Sequence, residues 1–360
     1  MQIANKKPKQ HIQILDFLRG IAALAVVIFH FATSTLPTIK PNLLGDYFSH
    51  GNLGVKVFFV ISGFVIPYAM YSSGYHIKNF FNFIIRRLAR IGPPSWVAIL
   101  LMAGVYFGGI WLNGRPIEGM HWPGISFRTI LANLTYSYSL LDTKAYIDVY
   151  WTLEVEFQYY LMIGLLLPLI TRYAANKWVL SGILLLLSAT FVVHNNLILF
   201  FRDNSFFILG ILLYLYKTEQ INRNYFINAS FVAIMICYGQ QGATNSFAAF
   251  ITFLVIAYVH YENPVTTFLG RISYSLYITH LFSGIVSEFV LRNLTGMEPS
   301  EGVKVFMLFV YTGIAVAFAW VFYLLVEKPF IRFSHRFKLK KNDPQKDVVP
   351  VNAPASPLRS

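Results

Sequence analysis

The chain has 360 residues, 56% of them hydrophobic and only 12% charged, and its mean hydropathy is +0.54. A soluble domain carries about twice that share of charge, so this balance excludes an ordinary water-soluble fold. The net charge of +13 reflects 29 Lys and Arg against 16 Asp and Glu, and their placement along the chain points to a membrane and not to nucleic acid.

Apolar runs of spanning length recur from end to end, which predicts an all-α polytopic membrane protein. The expected spans are about ten: 13–35, 53–71, 91–112, 151–171, 178–194, 196–216, 225–240, 245–261, 268–290 and 303–326. Residues 125–141 are only moderately apolar and read as an interfacial or re-entrant helix, with a further span as the alternative. The first run holds polar residues and lacks a small-residue cleavage site, so it does not read as a cleaved signal peptide. Cys237, the single cysteine, cannot form an intramolecular disulfide and reads as an inert core residue. No Cys/His pattern suggests a metal, and no inverted duplication of broken helices is visible.

Lys and Arg set the orientation. With the N-terminus inside, ten crossings return the C-terminus to the same side. Most of the basic residues then lie in the cytoplasm: Lys6, Lys7, Lys9, Lys78, Arg86, Arg87, Arg90, Arg172, Lys177, Lys217, Arg223, Arg271 and the basic tail. The expected organisation is a cytoplasmic N-terminus (1–12), a transmembrane domain (13–330) and a basic tail (331–360) that turns Pro-, Asn- and Ser-rich and reads as disordered.

The first span, QILDFLRGIAALAVVIFHFATST, carries Asp16, Arg19 and His30. Eleven residues make almost three helical turns, so Arg19 and His30 share a face about 16 Å apart along the axis. Ionisable groups inside a span are functional candidates by default. Asp16, three residues from Arg19, is placed to offset its buried charge. In the second span Ser62 and Gly63 permit close helix packing, or Ser62 lines a pocket. Arg86, Arg87 and Arg90 precede Pro93-Pro94, which read as the start of the next helix. The three guanidiniums are either a headgroup anchor or a clamp for a polyanion such as coenzyme A. Trp151, Glu154 and Glu156 open the fourth span. The two glutamates face different directions, so one of them points into a site. Ser273, Tyr277 and His280 form one polar stripe on the ninth span. Glu327-Lys328-Pro329 ends the last span, and Lys328 and Pro329 read as a stop.

Together these stretches resemble the membrane acyltransferase-3 family of bacterial integral-membrane O-acyltransferases. LDFLRGIAALAVVIFH resembles its opening helix, GVKVFFVISGF its second, RRLARIGPP its arginine cluster, and YWTLEVEFQYYL its WxLxxE stretch. GRISYSLYITH and VEKPF resemble its late signatures. Lys56 stands where many members have an acid, and Glu154 is an additional acid.

The resemblance implies a protein of the bacterial cytoplasmic membrane. It implies transfer of an acyl group, most often acetyl, from cytoplasmic acyl-CoA to a hydroxyl of an extracytoplasmic carbohydrate or glycolipid, among membrane lipids. It implies no permanently bound cofactor and no metal. His30 is then the general base or a transient acyl carrier, and Glu156 is its orienting acid. Arg86, Arg87, Arg90 and Arg19 hold the donor. Asp16, Ser62, Trp151, Tyr277 and His280 are further candidates for the substrate path. The alternative function class is a proton-coupled transporter or flippase, with His30 and Asp16 as a relay.

Overall fold

The computed structural model describes residues 13–35, 47–117, 120, 122–189, 200–295 and 300–337. The expected segment 1–12 and the tail beyond 337 lie outside the described residues, as do parts of the spans expected at 178–194 and 196–216. Among the described residues the regular structure is helical, with no strand. The α-helices are α1 (Ile14–His30), α2 (Leu53–Ser72), α3 (Phe80–Asn113), α4 (Phe127–Thr135), α5 (Trp151–Tyr173) and α6 (Lys177–Ala189). They are followed by α7 (Phe200–Lys217), α8 (Arg223–Tyr258), α9 (Pro264–Thr295), α10 (Glu301–Phe322) and α11 (Lys328–Ser334). Widened π turns follow α1 at Phe31–Thr35 and α10 at Tyr323–Glu327.

Among the described residues, seven helical stretches are long and apolar enough to cross a membrane, those holding α1, α2, α3, α5, α8, α9 and α10. Helix α8 is a hairpin and not a rod. Gly242 breaks it with φ 78° and ψ 174°, and Phe226 and Phe253 stack with ring centroids 5.5 Å apart. In a straight helix those 27 positions would be about 40 Å apart. The two halves match the stretches expected at 225–240 and 245–261. Helix α7 carries Arg202, Asp203 and Lys217, yet Phe206, Phe207, Leu209, Ile211, Leu213, Tyr214 and Leu215 are all fully buried. A helix apolar on all sides is a core helix. Here α2, α5, α6 and α8 enclose it.

Small residues set several close helix crossings, two of which bear on the site. A Cβ on Gly210 of α7 would lie 2.4 Å from Gly63 C and from the Val60 carbonyl oxygen on α2. A Cβ on Gly270 of α9 would lie 2.4 Å from the Asp16 carbonyl oxygen on α1. Without a hydrophobic drive between helices in lipid, such backbone approach is what holds them together. Two buried clusters result, one mainly from α2, α3 and α5–α8 that also takes in Val26, Tyr277, Ile278 and Phe322, and one formed by other residues of α1, α9 and α10. Phe58 packs against both.

Three local features differ from expectation. The helix expected to begin at Pro93-Pro94 begins at Phe80 and runs through both prolines. Proline removes helical N–H donors; beside the prolines Tyr274 OH donates to Ile91 O at 2.5 Å and Ser95 Oγ to Gly92 O at 2.8 Å. The segment expected at 125–141 contains only α4, nine residues and about 13 Å long, so the alternative of a further span does not hold. Ser126 caps α4 by accepting from Thr129 N. Tyr136 ends it in the left-handed region (φ 53°), pinned by a 2.6 Å bond to Ser95 Oγ.

Candidate active site

Helices α1, α2, α3, α5 and α9 surround a cavity holding about 940 Å³ of empty space, part of it open to solvent. Its charged lining is Arg19, Arg87, Arg90 and Glu156; Ser62, Thr152, Tyr160, Ser273, Tyr274 and Tyr277 supply hydroxyls, and Phe58, Phe59, Val65 and Ile66 are among its apolar walls. Because α3 is already helical at Phe80, Arg87 and Arg90 are one turn apart on one face. Arg86 is about 100° from Arg87 around the helix and does not line the cavity; its Nη2 donates to His335 Nδ1 at 2.7 Å.

Each cavity charge has a distinct setting. The Arg87 guanidinium lies over the rings of Phe83 (5.4 Å) and Tyr160 (5.3 Å), a cation–π arrangement suited to a low-dielectric wall. Glu156 Oε1 accepts from Tyr160 OH at 2.5 Å and Ser62 Oγ at 3.3 Å. Among the described residues Arg19 makes no ion pair; it shares the cavity lining with Arg87, Arg90 and Glu156. Asp16 forms no ion pair with Arg19 among the described residues. Its backbone instead receives Gly270 at the α1–α9 crossing.

His30 lies at the end of α1, where the π turn begins. Its Nδ1 is 2.9 Å from the Val26 carbonyl and 3.3 Å from Nε2 of His280. His280 is fully buried, and its own Nδ1 is 2.6 Å from the Tyr277 carbonyl. A carbonyl only accepts, so both Nδ1 atoms carry hydrogen. His280 Nε2 then accepts from His30 Nδ1–H, and the lone pair of His30 is on Nε2, the atom a general base uses. Glu156 does not stand beside His30. The expectation that it orients the histidine is corrected: His280 occupies that place, and Glu156 belongs to the arginine cavity.

Tyr277 joins the two regions. It lines the cavity, and its ring centroid is 5.9 Å from that of His280. Its hydroxyl is 2.6 Å from Thr152 Oγ1 and 3.1 Å from the Val149 carbonyl. Trp151 stands outside the cavity, under the Arg202 guanidinium (5.0 Å) and near Lys56 Nζ (5.9 Å). Glu154, 1% exposed, accepts from Ser139 N at 3.0 Å and ties α5 to the turn after α4.

Several participants are not evident in the sequence. Tyr160 is one turn from Glu156, and helical spacing alone could have found it. Lys328 and Pro329 read as a stop, and Glu327 just before them is carried inward by the π turn. It is 2% exposed and accepts from Ser275 N (3.2 Å) and Ser275 Oγ (2.6 Å). The unusual Lys56 is matched by Asp203, 3.0 Å away on α7; the signal was an acid within an apolar run.

These features define a multi-pass helical membrane protein in which a cationic cavity abuts a pair of histidines. Residues 12–324 match the family described as an acyltransferase domain (Acyl_transf_3), and the chain belongs to that acyltransferase-3 family. It is 24% identical over 376 residues to a Staphylococcus aureus (strain COL) protein provisionally named an O-acetyltransferase, covering 90% of this chain and 58% of that relative. It is 26% identical to a protein of Acidianus two-tailed virus provisionally named an acetyltransferase, covering 88% of this chain and 91% of the viral one. A third relative, the peptidoglycan O-acetyltransferase OatA of Listeria monocytogenes, is 22% identical over 209 residues, 53% of this chain and 30% of its own. The chain thus spans 58% of the length of the staphylococcal relative. No solved structure matches it significantly.

Proposed function

We propose that the protein is an O-acyltransferase that moves an acetyl group from cytoplasmic acetyl-CoA to a hydroxyl of an extracytoplasmic or lipid-linked carbohydrate. The observation that carries this reading is the sequence of groups along one path. Three guanidiniums line the cavity, Tyr277 ends it, and the histidine pair stands behind Tyr277. Relatives named for acetyl and O-acetyl transfer support it.

In this mechanism Arg19, Arg87 and Arg90 hold the phosphates or the pantetheine arm of the donor, since guanidinium forks suit phosphate oxygens. Glu156, clamped by Tyr160 and Ser62, keeps the guanidiniums in place. His30 Nε2 takes the proton of the acceptor hydroxyl as its oxygen attacks the thioester carbonyl. The C–O bond forms, the C–S bond breaks, and the coenzyme A thiolate leaves and recovers a proton from the imidazolium. The thioester is already activated, so no bound cofactor is required. Both termini face the cytoplasm of a bacterial cell, with ten crossings and His30 towards the outside, the arrangement that the distribution of Lys and Arg favours.

The test uses inverted membrane vesicles containing the full chain and radiolabelled acetyl-CoA. Label passes to a glycan or glycolipid with the wild type and not with His30→Ala at equal expression. Acetyl-CoA left unconsumed by the wild type, or full transfer by His30→Ala, overturns the reading.

A further inference from the structure

The cavity and the histidine pair do not meet through open space. Phe58 and Tyr277 both line the cavity, and their rings meet edge to face with centroids 6.0 Å apart. On the far side of Tyr277 is His280, 5.9 Å away, and His280 in turn touches His30. Phe58 is also the ring that bridges the two buried clusters, one built mainly on α2, α3 and α5–α8 and one on α1, α9 and α10. It therefore stands at the seam through which a group must pass from the arginines to the histidines.

The two rings differ in how they are held. Tyr277 is 7% exposed, and its hydroxyl is pinned between Thr152 and the Val149 carbonyl. Turning it would leave buried polar groups unsatisfied. Phe58 is half-buried, has no polar anchor, and faces empty space on its cavity side. One partner is fixed, and the other is held only by packing.

We propose that Phe58 is the specificity-determining residue for the acyl group: it is the movable half of a Phe58–Tyr277 filter that admits short acyl chains and rejects longer ones. The inference rests on the acyl-CoA reading and adds the donor's size class to it. A displaced phenyl ring opens a gap of limited width, and the neighbouring walls Val55, Phe59 and Thr152 are buried and closely packed. Each methylene beyond acetyl must therefore displace a packed side chain, and overfilling a packed site is unfavourable.

The experiment measures transfer from acetyl-CoA, butyryl-CoA and octanoyl-CoA in the same vesicles carrying the full chain. The readout is the ratio of the acetyl to the butyryl rate, which cancels differences in expression. The wild-type ratio is expected to be at least ~10, the scale on which an apolar pocket discriminates by methylenes. Phe58→Ala is expected to bring it towards unity and to admit octanoyl. Phe58→Leu, a milder change that keeps the core filled, should give an intermediate ratio. A wild type that transfers butyryl as fast as acetyl overturns the filter, as does an unchanged ratio in both variants. A wild type that consumes no acyl-CoA of any length overturns the donor reading itself, a result distinct from loss of selectivity.

Discussion

Nε2 of His280 lies 3.3 Å from Nδ1 of His30, whose N–H it shares as an acceptor with the Val26 carbonyl at 2.9 Å. That carbonyl sets the His30 tautomer, and His280 adds a second constraint on the ring angle. His280→Phe keeps the ring volume and deletes the acceptor. Its kcat is expected to fall about 10- to 100-fold with KM for acetyl-CoA unchanged, against a loss of about 10²–10⁴-fold for His30→Ala. His280→Gln, whose amide oxygen accepts, should retain more activity than His280→Phe. Steady-state kinetics on the three variants checks the order.

The arginines separate by position. Arg87 and Arg90 line the cavity, whereas Arg86 bonds His335 outside it. Arg87→Ala and Arg90→Ala should each raise KM for acetyl-CoA about tenfold, equivalent to losing one charge-assisted contact of roughly 1.4 kcal/mol. Arg86→Ala should change it less than twofold. Replacing acetyl-CoA with acetyl-pantetheine, which lacks the nucleotide phosphates, should erase the difference if phosphate is what the two cavity arginines hold.

The opening helix was legible because ionisable residues in an apolar run are costly and few, and Arg19 and His30 share a helical phase that one strand of sequence reveals. Likewise the two glutamates of α5 had to face apart, and they do. What was not legible depended on partners far along the chain. His30 and His280 are 250 positions apart, and no local pattern couples them. The prolines after Arg90 suggested a helix start, and only the fold shows that a helix already formed at Phe80 runs through them, with Tyr274 of α9 bonded to the Ile91 carbonyl beside them. What sets Arg86 apart from Arg87 and Arg90 is its bond to His335, 249 positions along the chain. Gly242 carried too little sequence signal to distinguish a hairpin from a loop, although the apolar stretches on either side were evident.

Lys56 and Asp203 lie 147 positions apart and form a 3.0 Å ion pair, with Asp203 only 1% exposed. Arg202 Nε adds a second bond to the same carboxylate at 3.1 Å. Removing one member of such a pair strands the other, at a cost of about 3–5 kcal/mol. Lys56→Met should therefore lower thermal stability in detergent strongly. The double variant Lys56→Met with Asp203→Leu should recover much of the loss, because no buried charge is then left unpaired and Arg202, which loses its partner, is half exposed. A double variant no more stable than Lys56→Met alone would show that Asp203 is held chiefly by Arg202.

Gly270 tests whether the site depends on the α1–α9 crossing. An added Cβ would lie 2.4 Å from the Asp16 carbonyl oxygen and 2.6 Å from Asp16 Cα, and these are backbone atoms that cannot rotate aside. Gly104 on α3 has no heavy atom within 4 Å of the same construction. Gly270→Ala should cost about 1–3 kcal/mol of stability, the usual price of overpacking, while Gly104→Ala should be neutral or slightly stabilising through helix propensity. The activity loss in Gly270→Ala should exceed what its lower stability explains. To relieve the clash α1 must move away from α9, and α1 carries both Arg19 and His30 while α9 carries Tyr277 and His280. The same displacement would thus lengthen the His30–His280 contact and widen the cavity wall at Tyr277. Melting curves paired with turnover at a temperature where both variants remain folded separate the two effects. Equal turnover per folded molecule would show that the catalytic groups tolerate a shift of the helix that bears them.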